Sequence, residues 1–374
     1  MEKLLLEDCC EILDSMRVPI TSSDRVEGPY PYYGANGIQD HVADYIFDDE
    51  LVLLAEDGGN FGSKERPIAY RVSGKCWVNN HAHVLKPKEG LDVDYLCYSL
   101  MFYNVGGMVN GATRQKLTQA AMRQMLIPKR TMEEQKYIVD LLVKVVAVKE
   151  KRQQELTELD NLIKARFVEL FGTLDNPSQE YEKATLKELC NKITDGKHGG
   201  CDQEEGTDRY FVGAREIFDD EVHYETAPQI NIEEFEKDYK RCNVEIGDFL
   251  IVNTGATIGK SAIASDIRTE HTLLQKSVAL LKVKREVLNP VFLKWCYRVN
   301  TKMYLVESAS AQPNLLLSKI NSTVIYVPDI SLQKQFADFV EQVDKSKVVV
   351  QKALDEAQLL FDSLMQEYFG EKGD

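Results

Sequence analysis

The chain of 374 residues is 44% hydrophobic and 28% charged, the balance of a soluble globular protein and not of a disordered one. Its longest apolar runs fall far short of the ~20 residues a membrane helix needs. The opening Met1-Glu2-Lys3 turns acidic by Glu7-Asp8, unlike a secretory signal. The net charge of −15 argues against binding nucleic acid through the overall field, and eight scattered cysteines without a CxxC exclude the common zinc frameworks and fit a reducing cytoplasm.

At ~100–200 residues per domain, the length predicts two or three domains. Residues 51–55, 68–72 and 76–86 are rich in branched and aromatic residues and predict strands. Turn signals separate them, Gly34-Ala35-Asn36-Gly37 and Asp57-Gly58-Gly59-Asn60. A short amphipathic helix is expected over 92–103. From residue 133 to 171 there is no Pro or Gly, and apolar residues recur at Ile138, Leu142, Val145, Leu156, Leu159, Ile163 and Leu170. Gly172 supplies the stop, and Asn176-Pro177-Ser178 reads as a linker. A second strand-rich stretch covers 248–253 and 276–284, with a short helix over 290–302. A second long helix carries Phe336, Val340, Val343, Val350, Leu354, Phe361, Leu364 and Tyr368, and stops at Gly370.

The chain repeats itself. Gln135-Lys136 and Gln333-Lys334 lie 198 positions apart, as do Phe171-Gly172 and Phe369-Gly370. The same offset matches Leu117 with Leu315, Ile127 with Ile325, Asp140 with Asp338, Leu162 with Leu360 and Glu169 with Glu367, without a gap. It also lays Leu51-Val52-Leu53 on Phe249-Leu250-Ile251. Each half has a variable module followed by a similar helix. A helix of ~39 residues would be ~58 Å long, too long to bury its stripe in a small domain, so the two copies are expected to pair as an antiparallel coiled coil. The seam is predicted at Ile138, Leu142, Val145, Leu156, Leu159 and Ile163 against Phe336, Val340, Val343, Leu354, Phe361 and Leu364, with Lys149 and Arg152 interrupting it. The fold class is α+β: two mixed α/β modules, two long helices and internal pseudo-twofold duplication.

Charge follows this division. Residues 1–108 hold 9 basic and 18 acidic side chains, residues 109–172 hold 12 and 8, residues 173–308 hold 18 and 24, and residues 309–374 hold 6 and 10. Only the second segment is basic.

No catalytic constellation emerges. Gly255 to Gly259 leaves three residues where a phosphate loop needs four, so Thr254–Ser261 reads as a turn between strands. His81 and His83 share a strand face but lack further clustered ligands, so no metal is assigned. There is no Gly-x-Ser-x-Gly and no Asn-Pro-Pro-Tyr or Asp-Pro-Pro-Tyr methyltransferase signature.

Three segments of the first half resemble a target-recognition domain of type I restriction–modification specificity subunits. They are Pro31-Tyr32-Tyr33-Gly34-Ala35-Asn36-Gly37-Ile38, residues 51–60, and Trp77-Val78-Asn79-Asn80-His81-Ala82-His83-Val84-Leu85. Ile193-Thr194-Asp195-Gly196-Lys197-His198, Gly247-Asp248-Phe249-Leu250-Ile251 and Thr254–Lys260 are similar to a second recognition-domain type. Gln312-Pro313-Asn314-Leu315, Gln333-Lys334 and Tyr368-Phe369-Gly370 resemble the family's conserved regions.

The resemblance implies recognition domains at 1–108 and 173–308 and helical spacers at 109–172 and 309–374. It implies a non-catalytic chain that reads a bipartite, asymmetric target in double-stranded DNA, with the helices as a ruler. Its partners would be two adenine methyltransferase subunits, which carry the S-adenosylmethionine, and motor-nuclease subunits. Side chains suited to bases or phosphates are Tyr32, Tyr33, Asn36, Asn60, Lys64, Asn79, Asn80 and His81 in the first module. In the second they are Lys197, His198, Arg215, Asn253, Thr254, Thr257, Lys260 and Lys276. Asn-Gly and Thr-Gly turns also serve folds alone. The acidic total keeps a non-DNA coiled-coil scaffold with two ligand-binding modules as the alternative.

Overall fold

The computed structural model describes residues 2–111, 114–304 and 314–370, which leaves Gln312 and Pro313 outside the described residues. The chain divides into two compact units, Met1–Gln153 with Lys352–Asp374, and Gln154–Gln351.

The first unit opens with β1 (Lys3–Leu5), the one-turn helix α1 (Leu6–Cys9) and β2 (Cys10–Ile12). Then follow β3 (Tyr30–Gly34), β4 (Gly37–Val42), β5 (Phe47–Ala55), β6 (Ala69–Val78), β7 (Ala82–Pro87) and α2 (Val93–Met101). Short elements β8 (Val109–Asn110), β9 (Lys116–Leu117), α3 (Gln119–Arg123) and β10 (Leu126–Pro128) lead into the long helix α4 (Met132–Phe171). Six strands form one sheet in the order β2-β7-β5-β6-β3-β4, antiparallel except where β3 runs parallel to β6. β1 pairs with β10, closing the module at the foot of α4.

In the second unit β11 (Glu182–Thr185), α5 (Leu186–Leu189) and β12 (Cys190–Asp195) repeat the opening. After them come β13 (Tyr210–Val212), β14 (Ile217–Phe218), β15 (Glu221–Val222), α6 (Ile232–Tyr239), β16 (Phe249–Val252), β17 (Ser261–Ile263), β18 (Thr272–Leu274), β19 (Val278–Val283) and α7 (Pro290–Val299). Last are α8 (Leu317–Ser322), β20 (Val324–Val327) and α9 (Ile330–Phe369). The sheet order β12-β19-β16-β17 matches β2-β7-β5-β6, and β11 pairs with β20 as β1 does with β10. Where the first module adds β3 and β4, the second has the separate pairs β13-β18 and β14-β15.

The expected strands at 51–55, 248–253 and 276–284 fall on β5, β16 and β19, and the short helices on α2 and α7. The expected division into 68–72 and 76–86 is corrected: β6 runs unbroken to Val78, and β7 starts at Ala82 after a turn. β5 and β16 lack polar alternation because both faces are buried. Val52 and Leu54 face the helix-side core, while Leu51 and Leu53 face a second apolar cluster. In β16, Phe249 and Ile251 face the helices, and Leu250 and Val252 face away. This corrects the offset of 198 within the modules. Val52 pairs with Leu85, and Phe249 with Leu281, so Val52 corresponds to Phe249 and the offset there is 197. A slip of one residue exchanges the faces of a strand, which an offset set on the helices cannot reveal.

The long helices are 40 residues each and do sit 198 positions apart. Thr131 and Glu134 cap the start of α4 reciprocally: the Thr131 amide donates to the Glu134 carboxylate at 2.8 Å, and the Glu134 amide to Thr131 Oγ1 at 3.3 Å. Gly172 ends the helix at φ +74°, where a Cβ would meet the Asn176 carbonyl oxygen at 2.3 Å. The linker beyond it folds back, with the Ser178 amide donating to Phe171 O.

In the first unit the start of α4 lies along the end of α9. Arg130 covers the Tyr368 ring, and Lys149 Nζ lies 4.7 Å from the Phe361 ring centre. In the second unit the end of α4 lies along the start of α9, with Arg166 over Phe339 and Lys347 bonded to Asp160 at 2.8 Å. Partners descend on one helix as they ascend on the other, so the pairing is antiparallel. Ile138, Leu142, Val145, Phe361 and Leu364 are buried in the first unit, and Ile163, Phe336, Val340 and Val343 in the second. Leu156, Leu159 and Leu354 are only half-buried.

Two buried glutamines fasten the modules to the helices. Gln135 Oε1 accepts from the Asp92 amide at 2.8 Å, while its Nε2 donates to Gly90 O and Arg130 O. Gln333 repeats this on the Asn289 amide, Val287 O and Pro328 O. Asp92 and Asn289 are the N-caps of α2 and α7, so one side chain satisfies three backbone groups where module meets helix.

Candidate nucleic-acid interface

In the first module the loop after β5 is the meeting point. Asn36, exposed in the β3–β4 turn, donates from Nδ2 to Gly58 O at 3.0 Å. The Glu56 amide bonds His81 O, and the Leu117 amide donates to Glu56 O at 2.7 Å, laying the β9 strap against the loop. Asn36, Asn60, Asn79, Asn80 and His81 therefore come together around residues 56–60, with Lys64 further along the same loop.

Their surroundings differ. Lys64 and Asn80 are exposed and, among the described residues, their side chains have no bonding partner. Asn60 forms a turn by accepting the Ser63 amide on its carbonyl. Asn79 is buried, with Oδ1 accepting the His81 amide at 2.8 Å and Nδ2 donating to Gln39. Tyr32 is 1% exposed, its hydroxyl held by Ile20 and its ring beneath Arg25. Tyr33 is half-buried against Tyr70, and burial pushes its phenol above its ordinary value. As folded, Tyr32 and Asn79 build the loop's support and offer little surface.

Beneath the loop lies a buried charged network. His83 Nδ1 is 2.7 Å from Asp14 Oδ2 and Nε2 is 2.9 Å from Leu117 O. Arg17 reaches Glu56 at 2.5 Å, and Lys116 reaches it at 2.9 Å. Burial raises the Asp14 pKa, but bonds from His83, the Val84 amide and Gln119 outweigh it and hold the carboxyl below its usual range. Burial also raises Glu56, and bonds from Arg17 and Lys116 outweigh it in turn. The ligand atoms of Asp14, Glu56 and His83 lie within 4.8 Å of one another, yet Arg17 and Lys116 already supply the cations there. His81 lies in the turn before β7, not on the strand with His83, and meets a different partner, so the two histidines do not converge.

In the second module the strand ends of β12, β16, β17 and β19 meet. The Lys197 amide bonds Leu274 O, the Lys276 amide bonds Lys197 O, and the Asn253 amide bonds Ser277 O. Arg215, Lys260 and Lys276 are exposed there and, among the described residues, have no carboxylate partner. Lys197 is spent on Asp238 at 2.9 Å and Glu234 at 3.4 Å, and its bond to Asp238 raises its pKa. Exposed His198 reaches Asp195 at 3.2 Å. Asn253 is buried and accepts the Leu315 amide at 2.7 Å, the counterpart of Leu117 on Glu56. Thr254 bridges to Asn314. Thr257 O accepts the Lys260 amide in a tight turn that opens onto β17, not onto a helix as a phosphate loop would.

Sequence reasoning passed over Asp57 and Arg114. Arg114 Nη2 lies 2.7 Å from Asp57 Oδ1, and His81 Nδ1 lies 2.6 Å from the same oxygen. The available signal was that Arg114 opens the only basic segment.

No helix among the described residues is long and apolar enough to cross a membrane. A family model described as the type I restriction modification DNA specificity domain matches residues 1–158 and 178–357. A protein of Haemophilus influenzae named as a type I restriction enzyme specificity subunit is 40% identical over 143 residues, 38% of this chain and 37% of that one. The EcoprrI specificity subunit of Escherichia coli is 24% identical over 115 residues, 31% of this chain and 27% of its own. The aligned stretches thus span about a third of these relatives. The crystal structure of a type I restriction-modification S subunit from M. genitalium shares the fold at TM-score 0.57 and 15% identity, covering 100% of this chain and 96% of that one. A chain from a structural study of assembly and conformational transition in the type I R-M system matches at TM-score 0.57 and 15% identity, over 98% and 97%. With both halves matched by the same family model, the chain belongs to the type I restriction modification DNA specificity family.

Proposed function

We propose that this chain reads a two-part, asymmetric sequence in double-stranded DNA, one half-site per module, for adenine methyltransferase subunits that dock on it and carry the S-adenosylmethionine. Motor-nuclease subunits would complete a restricting assembly, and the chain itself would do no chemistry. On this reading the recognition domains would be 1–108 and 173–308, and the spacers 109–172 and 309–374. One observation carries this reading: the same four-strand core and glutamine fastening occur twice, while the loops at the strand ends differ. Repeated scaffolds with different loops suit two different readings made by one device. Helices of 40 residues, ~60 Å at 1.5 Å per residue, suit a ruler between half-sites.

The charge of −15 is compatible because cations sit locally, with Lys64 on the loop after β5 of the first module and Arg215, Lys260 and Lys276 at the strand ends of the second. Binding of the assembled complex to duplex DNA should weaken steeply with salt. Replacing Arg215, Lys260 or Lys276 by Ala should each lower the slope of log affinity against log salt by about 1. Fluorescence anisotropy across a salt series measures this. Affinity insensitive to salt and to these substitutions would favour the non-DNA scaffold.

A further inference from the structure

We propose that Arg114, held by Asp57, reads a guanine through its major-groove edge in the half-site taken by the first module; this rests on the DNA reading above. Arg114 has 60% of its side chain exposed, yet it is not loose. Nη2 lies 2.7 Å from Asp57 Oδ1. The guanidinium lies across Gly58, where an added Cβ would stand 3.2 Å from Nε and 3.3 Å from Nη2. Gly58 has φ +62°, so the bare backbone there both forms the turn and makes the shelf. His81 Nδ1 shares the same Asp57 oxygen at 2.6 Å, and Asn36 fixes the shelf from the other side through Gly58 O.

The chemistry favours a base over a phosphate. A carboxylate 2.7 Å away cancels much of the attraction a phosphate would feel. It leaves the direction of the fork intact, because Asp57 engages only Nη2 and Nη1 has no partner among the described residues. Arginine donating to guanine O6 and N7 is the commonest specific contact in the major groove, and it depends on a fixed fork. The second module has Thr254 bridged to Asn314 where the first has Asp57 bridged to Lys116, so a threonine stands in place of Asp57 and, among the described residues, its loop carries no such arginine–carboxylate pair. The guanine should therefore appear in one half-site only.

The test uses the full chain assembled with its methyltransferase, with methylated sites mapped by long-read sequencing. Arg114→Ala should abolish a guanine preference at one position of one half-site and leave the other half-site unchanged. Asp57→Asn should relax the same position less. Replacing that guanine by 7-deazaguanine, which lacks N7, should weaken wild-type binding roughly tenfold and leave Arg114→Ala binding unaffected. Uniform weakening on every sequence, with a shallower salt dependence, would identify a phosphate contact and overturn the inference. So would a two-part motif insensitive to Arg114. A wild-type complex without any chain-dependent motif would overturn this inference and the DNA reading together.

Discussion

Asp14, Glu56 and His83 show how single residues carry the loop after β5 in the first module. Each is nearly inaccessible, and each is answered by an opposite charge or a backbone group. Both carboxyls are held below their ordinary pKa values, so they stabilise the fold at pH values above the usual carboxyl range, near 4. That contribution is lost as pH falls through the depressed folded-state values. Urea unfolding between pH 3 and 7 should show stability declining on the acid side, and Asp14→Asn should flatten the decline. His83→Leu removes the imidazole from Asp14, which keeps Arg17, the Val84 amide and Gln119, and should cost roughly 1–3 kcal/mol, the cost typical of losing a buried hydrogen bond to a charged group. Equal acid sensitivity in Asp14→Asn and wild type would show that the network does not couple to folding.

At the scale of elements, the fastening of module to helix is the same in both halves. Phe171 packs on Phe292 at 4.9 Å, and its repeat partner Phe369 packs on Tyr95 at 5.2 Å. Gln135→Leu or Gln333→Leu would strand an amide and two carbonyls, at about 1–3 kcal/mol for each group left buried and unpaired. Thermal denaturation should show comparable losses from the two substitutions, because the bonds are the same. Phe167 touches Phe171, Phe292 and Phe336 at 5.0–5.5 Å, and Phe167→Ala should cost about 3–5 kcal/mol. The long helices were legible because nothing in them breaks a helix and the apolar spacing persists over ten turns. The two-faced burial of β5 and β16 was legible as an apolar run. Its phase was not, because a helix repeat tolerates one extra residue in a loop and a strand face does not. Among the candidate contact residues, Lys64, Arg215, Lys260 and Lys276 sit exposed where loops converge. Tyr32, Asn79 and Asn253 are buried, the first two with side chains held by Ile20, His81 and Gln39, which side-chain type alone cannot foretell. Arg114 escaped notice because its partner, Asp57, lies 57 positions away in sequence.

For the molecule as a whole, the duplication joins a constant part to a variable part. Helices, glutamines and the β2-β7-β5-β6 and β12-β19-β16-β17 cores repeat, and loops and added strands do not. Under the proposed function, a chain built this way changes one reading without disturbing the other. The most direct measurement maps N6-methyladenine in a cell carrying the partner methyltransferase, with this chain and with a version whose first-module loops, residues 34–37, 57–66 and 79–81, come from a related chain. The expected result is a two-part asymmetric motif that needs this chain, in which the exchange alters one half and spares the other. Methylation independent of the chain, or an exchange that changes both halves at once, would contradict two separate readers on a repeated scaffold.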